Sequence, residues 1–97
     1  MHTVVLTFDC KPGMRDLVVQ GLSVALHDTR AFEGCELVEV YTSPEDPNLV
    51  FLWEKWRSRA DQEKYLAWRT ESGSMDAMAS VLESPAKFVH LDHHADV

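Results

Sequence analysis

The chain predicts an α+β fold of the ferredoxin-like kind, in which a βαββαβ order lays four antiparallel strands beneath helices on one face. Three observations predict it. The apolar period starts at two, changes to three and four, returns to two for a pair of runs, and then repeats the cycle. Chain breakers stand where the period changes, at Pro12-Gly13, at Ser43-Pro-Glu-Asp-Pro-Asn48 and at Pro85. Ser58, three residues ahead of Asp61, supplies the opening signal of the second helix.

From His2 to Asp9, Val4, Leu6 and Phe8 fall on one side and Thr3, Val5 and Thr7 on the other, the alternation of a strand. Pro12-Gly13 ends it, because proline cannot donate to a ladder and glycine accepts the turn. Met14, Leu17, Val18, Gly21, Leu22, Val24 and Ala25 then recur at steps of three and four, which predicts one apolar stripe down a helix ending near Thr29. Glycine within a helix costs about 1 kcal/mol against alanine, so Gly21 is expected where the helix approaches the sheet closely. After Gly34, Leu37, Glu39 and Tyr41 alternate with Val38 and Val40. The breaker-rich turn leads into a further strand from Leu49 to Trp56, expected to pair with its predecessor as a hairpin. Leu49, Phe51, Trp53 and Lys55 share one side of it and Val50, Leu52, Glu54 and Trp56 the other, so the two tryptophans point opposite ways.

On the second helix Asp61, Tyr65, Trp68 and Arg69 cluster on one side, with Leu66 at the edge. Ser74 is expected to cap a short further segment whose stripe is Met75, Met78, Ala79 and Leu82. Pro85 stops that segment, and Phe88 to His93 alternates as a last strand before a polar tail from about residue 94. No repeat, low-complexity tract or long linker divides the 97 residues, so a single domain is expected over 1–97.

Composition excludes several partners. A net charge of −7, from 16 acids and 9 bases without a basic run, opposes any affinity built on neutralising phosphates, so nucleic acid and anionic membrane surfaces are not expected partners. No apolar stretch approaches the roughly 20 residues of a membrane span. Met-His-Thr-Val-Val-Leu carries no cationic leader, so a cytoplasmic location is expected. Cys10 and Cys35 lie far apart and in no zinc-like spacing, which predicts two free, buried or half-buried thiols. His93-His94 has no third ligand at helical spacing, and no metal is expected. Strands apolar on both sides leave a second sheet face to cover, so self-association is expected.

The stretch from Asp46 to Leu66 runs turn, strand, helix and brings Tyr65 and Trp68 back towards a strand bearing two tryptophans. That ring surface suits a pocket for a flat organic molecule. Thr29-Arg30-x-x-x-Gly34-Cys35, Asp46-Pro47-Asn48 and Trp53-Glu54-x-Trp56-x-Ser58, in that order, resemble the antibiotic biosynthesis monooxygenase family across almost the whole chain. The resemblance implies a dimeric α+β barrel, closed through the helix-free faces of two sheets, with a ligand cavity between each sheet and its helices. It also implies a homodimeric monooxygenase without metal, flavin or other cofactor. Molecular oxygen and a planar phenolic, anthrone or quinol-type aromatic would be its substrates, as in polyketide and antibiotic biosynthesis. Relatives include haem-degrading enzymes, but these need a proximal histidine on or just after the second helix, and none lies between Leu66 and Lys87. A non-oxidative cyclase or isomerase, or a non-catalytic ligand-binding dimer, is compatible with the same fold.

Such chemistry needs deprotonation of the substrate, stabilisation of its anion and exclusion of water. Tyr65 stands where the family often has a histidine; a phenol is a poor base at neutral pH but a good donor to a phenolate or carbonyl oxygen. Tyr65 and Arg69 are therefore the candidates for holding the anion, and Glu54 or His90 for taking the proton. Trp56, Trp68, Trp53, Tyr41 and Phe51 are the candidate ring walls. Tyr65 and Trp68 also read as helix-to-sheet core, Glu54 as an ion-pair partner, and one of Trp53 and Trp56 as packing at the dimer barrel.

Overall fold

The structure, a computed structural model, describes residues 1–97. In chain order it contains β1 (His2–Asp9), α1 (Arg15–Ala31), β2 (Cys35–Thr42), β3 (Leu49–Trp56), α2 (Arg59–Ser72), α3 (Ser74–Ala79) and β4 (Lys87–Leu91). The strands form one antiparallel sheet in the order β2-β3-β1-β4, the ferredoxin-like arrangement that the alternating periods predict. The hairpin of β2 and β3 forms as expected, with one irregularity between Cys35 and Leu37.

Register decides what each face carries. Val4, Leu6 and Phe8 of β1 stand opposite Glu54, Leu52 and Val50 of β3, and all six side chains are buried beneath the helices. The other face carries Val5, Phe51 and Trp53 in half-buried positions and no helix of this chain. The two tryptophans of β3 thus lie on opposite sides of the sheet.

Two local arrangements set α2 against the sheet. The Ser58 hydroxyl accepts the Asp61 backbone N–H at 3.2 Å, the N-cap that the sequence predicts. The Asp61 carboxylate then receives Arg57 Nε at 2.8 Å and Nη2 at 3.1 Å, and this guanidinium keeps it below the usual carboxylate range. Gly34, at φ 89°, presses against that carboxylate, and a Cβ added there would meet Asp61 atoms at 2.6 Å.

Four details differ from expectation. Helix α1 runs to Ala31, and its buried line is Val18, Leu22, Leu26 and Thr29, while Leu17 and Val24 are exposed. Those two residues lie on the outer side of the helix, well round from that buried line. Gly21 makes no close approach, since a Cβ built there would find nothing within 4 Å. Ser74 does not cap α3; Gly73 takes the cap position at φ 77°, closing α2 in the left-handed region as it opens α3. The last strand ends at Leu91 rather than His93. No helix is long and apolar enough to cross a membrane. Both cysteines are free, Cys10 buried and Cys35 half-buried.

Candidate active site

Between the helix-covered face of the sheet and the three helices lies a cavity of about 460 Å³. Leu6, Phe8, Leu52 and Phe88 form its floor on the sheet. Leu22 and Leu26 of α1 and Leu66 of α2 form two walls, and Met75, Met78 and the loop from Leu82 to Ala86 form the third. The size is that of a site for a small organic ligand, and the lining is mostly aliphatic, with thioethers able to pack on a ring edge.

Four polar residues of regular elements line this wall: Glu54 of β3, Tyr65 and Arg69 of α2, and Ser74 at the start of α3. Tyr65 and Arg69, four residues apart, stack on the same helix face, with the guanidinium carbon 5.3 Å from the phenol ring centroid. Arg69 Nε donates to Tyr65 Oη at 2.7 Å, and Nη2 donates to the Ala25 carbonyl at 2.6 Å and to Thr29 Oγ1 at 3.0 Å. Thr29, fully buried on α1, lies 2.6 Å from Tyr65 Oη, and either hydroxyl can donate. When Thr29 donates, the phenol proton is left for a ligand. No carboxylate lies within 4 Å of the Arg69 guanidinium, because the ion pairs of the chain belong to Arg57 and Arg59. Its charge is balanced only by neutral oxygens and by the faces of Tyr65 and Trp68.

Glu54 is 3% exposed. Its Oε1 accepts from Trp56 Nε1 at 2.9 Å, and Oε2 has no partner in the chain. Burial pushes its carboxyl above the ordinary range, and the indole hydrogen bond offsets part of that effect. No basic side chain pairs with it, so the ion-pair alternative does not describe this structure.

The remaining candidates fall outside the cavity wall. Trp56 is fully buried behind Tyr65, with ring centroids 5.0 Å apart, and its link to the site is the hydrogen bond to Glu54. Trp68, 37% exposed, packs on Phe32 at 5.6 Å and covers the Arg69 guanidinium at 4.8 Å from the outside. Trp53, Tyr41 and Phe51 lie on the opposite face of the sheet, where Lys55 sits over Trp53 and Tyr41 meets Phe51 edge-on. His90 faces the helix side but stands at the outer strand of the sheet, paired with His2 rather than with the cavity. Strand parity accounts for Trp53, Tyr41 and Phe51, and the edge position of β4 for the histidine.

Thr29, Phe8, Phe88 and the methionine-bearing wall were not among the sequence candidates. Thr29 continues the line of Leu22 and Leu26 at a step of three, so a hydroxyl on a buried stripe was the available signal.

Residues 1–85 match the family model described as antibiotic biosynthesis monooxygenase. A crystal structure described by the same name superposes with a TM-score of 0.85 at 19% identity, covering 97% of this chain and 99% of that one. A conserved protein of Methanosarcina mazei Go1 gives 0.85 at 16% identity, over 96% of this chain and 92% of that one. A protein of Shewanella oneidensis gives 0.78 at 24% identity, over 93% and 89%. At these identities the structural likeness speaks for fold alone, and no curated protein matches the chain. The family match over residues 1–85 of 97 is what assigns it: the chain belongs to the antibiotic biosynthesis monooxygenase family.

Proposed function

We propose that the protein is a cofactor-independent monooxygenase that oxidises a phenolic, anthrone or quinol-type aromatic with molecular oxygen. The observation that carries this reading is the Arg69 guanidinium, without a carboxylate partner and beside the Tyr65 hydroxyl, on the wall of an apolar cavity that also holds a buried acid. An enolate or phenolate oxygen supplies the missing negative charge, held by Arg69 and by the phenol proton. Glu54, freed from ion pairing and made more basic by burial, takes the proton from the substrate carbon or hydroxyl.

The electron balance needs no further reductant. The deprotonated substrate passes one electron to oxygen, the two radicals combine as a carbon-bound peroxide, and loss of water leaves a new carbonyl. One oxygen atom enters the substrate, the other leaves as water, and all four electrons that reduce the oxygen molecule come from the substrate. The aliphatic walls hold the ring and keep bulk water from the anion. In keeping with family membership, the helix-free sheet face with Trp53, Phe51 and Val89 is assigned to a second copy of the chain.

Aerobic and anaerobic incubation with a panel of anthrones and naphthols tests the reading. Oxygen-dependent formation of the quinone is expected; turnover indifferent to oxygen would overturn the assignment. The second reading, an isomerase or cyclase, draws on the same Glu54, Tyr65 and Arg69, because proton transfer plus oxyanion stabilisation suffices for enolisation. Equal rates with and without oxygen, with a product isomeric to the substrate, identify that reading.

A further inference from the structure

We propose that His2 and His90 form a binding site for a divalent transition-metal ion of borderline softness, Zn²⁺, Ni²⁺ or Cu²⁺, at the sheet edge and apart from the cavity. The antiparallel register puts them there. Thr3 pairs with Leu91 and Val4 with His90, so His2 and His90 are diagonal neighbours whose side chains leave the sheet on the same face. Their ring centroids are 5.0 Å apart, tilted by 31°, and His2 Nε2 stands 2.8 Å from His90 Nδ1.

That spacing suits two ligands of one ion. Nitrogens bound at about 2.1 Å in neighbouring positions are roughly 3.0 Å apart on an octahedral ion and roughly 3.4 Å on a tetrahedral one, so the separation changes by a few tenths of an ångström while both rings turn to aim their lone pairs at a common point. In the metal-free pair one ring donates its N–H to the other. Metal binding uses both lone pairs, so that proton moves to the far nitrogen of its own ring, and two neutral imidazoles bind without net loss of a proton.

The surroundings of His90 disfavour its charged form. Desolvation and the charges of Arg59 and His2 lower the His90 imidazolium from its ordinary range, against a smaller raising effect from Glu63. Arg59 and Glu63 are joined to each other at 3.3 Å, so cation and anion offset one another beside the pair. No third His, Cys, Asp or Glu completes a preformed cluster, so solvent fills the other positions and the ion is exchangeable. The net charge of −7 raises the local concentration of cations. A bound ion would tie the start of β1 to β4, the five-residue edge strand, and binding to the folded state alone stabilises it.

The test does not depend on the enzyme reading. The metal-free full chain is titrated calorimetrically with NiCl₂, ZnCl₂ and, as control, MgCl₂. One Ni²⁺ or Zn²⁺ per protomer is expected and no Mg²⁺, with His2→Ala and His90→Ala each weakening affinity at least tenfold. His27→Ala and the double variant His93→Ala, His94→Ala are expected to change it less than twofold. Absence of saturable binding, or affinity that follows His93 and His94 instead, overturns the proposal. Should an alanine variant fail to fold, wild-type protein decides by NMR: substoichiometric Cu²⁺ must broaden the His2 and His90 ring signals before those of the other histidines. Any other order overturns it equally.

Discussion

Arg69 donates through Nε to the Tyr65 hydroxyl at 2.7 Å, and the same guanidinium reaches across to Thr29 Oγ1 and the Ala25 carbonyl. One side chain therefore joins α2 to α1 and fixes the phenol at the cavity wall. Because these partners are neutral, the positive charge itself stays available to a ligand oxygen.

Substitution separates the two contributions. Tyr65→Phe removes a donor but leaves the ring packed on Trp56 and Phe32, so folding is expected to hold while kcat falls by about 10²–10³, the usual effect of losing one oxyanion donor. Arg69→Ala removes the charge, and losing a hydrogen bond to a charged group, about 1.5–3 kcal/mol, is expected to weaken substrate-analogue binding by about 10- to 150-fold. Steady-state kinetics and direct titration with a phenolate analogue distinguish them.

Thr29 is expected to act through its neighbours. Thr29→Val keeps the shape of a fully buried side chain but strips the hydroxyl from Tyr65 and Arg69, and a loss of about 1–3 kcal/mol in denaturant stability is expected. Thr29→Ser retains the hydroxyl and is expected to recover most of the lost stability. Loss of stability in Thr29→Ser but not in Thr29→Val would mean that only the methyl group matters.

Glu54 yields a pH dependence whose sign follows from burial. Its carboxyl titrates at higher pH in the folded chain than in the unfolded one. Near pH 4 and below both states are protonated and there is no penalty; as pH rises, the unfolded state ionises first and stability falls until the folded-state pKa is passed. Glu54→Gln stays neutral and can still accept from Trp56. The variant is expected to melt higher than the parent at pH 7–8 and to converge with it towards pH 4. The same variant is expected to lose turnover, and the parent's activity should rise with pH through the elevated carboxyl pKa.

Element order and facing were legible because strand parity and helical period are local properties. Trp53 and Trp56 on opposite sides, the Ser58 cap and the β2–β3 hairpin all follow from spacing alone. Depth within a face was not legible. Trp56 shares its side with Glu54 and Leu52, which line the cavity, yet it is packed beneath Phe32 and Tyr65 beyond the cavity's end. Which residues reach empty space depends on how far α2 and α3 stand from the sheet, and that distance is set by non-local packing. Thr29 was missed for the same reason, since its hydroxyl acquires meaning only when α2 brings Tyr65 and Arg69 to it.

Gly34 offers a test of how α2 is seated. At φ 89° a side chain is strained whatever the space, and a Cβ would also meet Asp61 at 2.6 Å. Gly34→Ala is therefore expected to destabilise by about 2 kcal/mol or more, beyond the 1–3 kcal/mol of backbone strain alone if Asp61 cannot yield. Asp61→Ala removes the carboxylate from that contact but keeps its Cβ, and it leaves Arg57 with Glu33 alone. A double-mutant cycle in urea is expected to show the Gly34→Ala penalty shrinking in the Asp61→Ala background, and strict additivity would show that the carboxylate is not what limits position 34.

The helix-free face allows the dimer proposal to be tested without touching the cavity. Trp53, Phe51 and Val5 lie at its centre, with Val89 and Leu91 towards one edge at 50% and 42% exposure. Apolar side chains in this number on one face are stabilised when a second sheet covers them, and a charge placed among them would be buried unpaired. Trp53→Glu is therefore expected to shift the proposed dimer to monomer in sedimentation equilibrium, while Leu17→Glu, at an exposed apolar site on α1, leaves it unchanged. Because the cavity and its polar groups lie on the other face, a Trp53→Glu monomer that still binds a phenolate analogue would show that each chain holds a whole site. Loss of binding in proportion to the monomer fraction would instead mean that the second sheet holds the first in shape. A wild-type chain that sediments as a monomer at micromolar concentration removes the dimer from the proposal altogether.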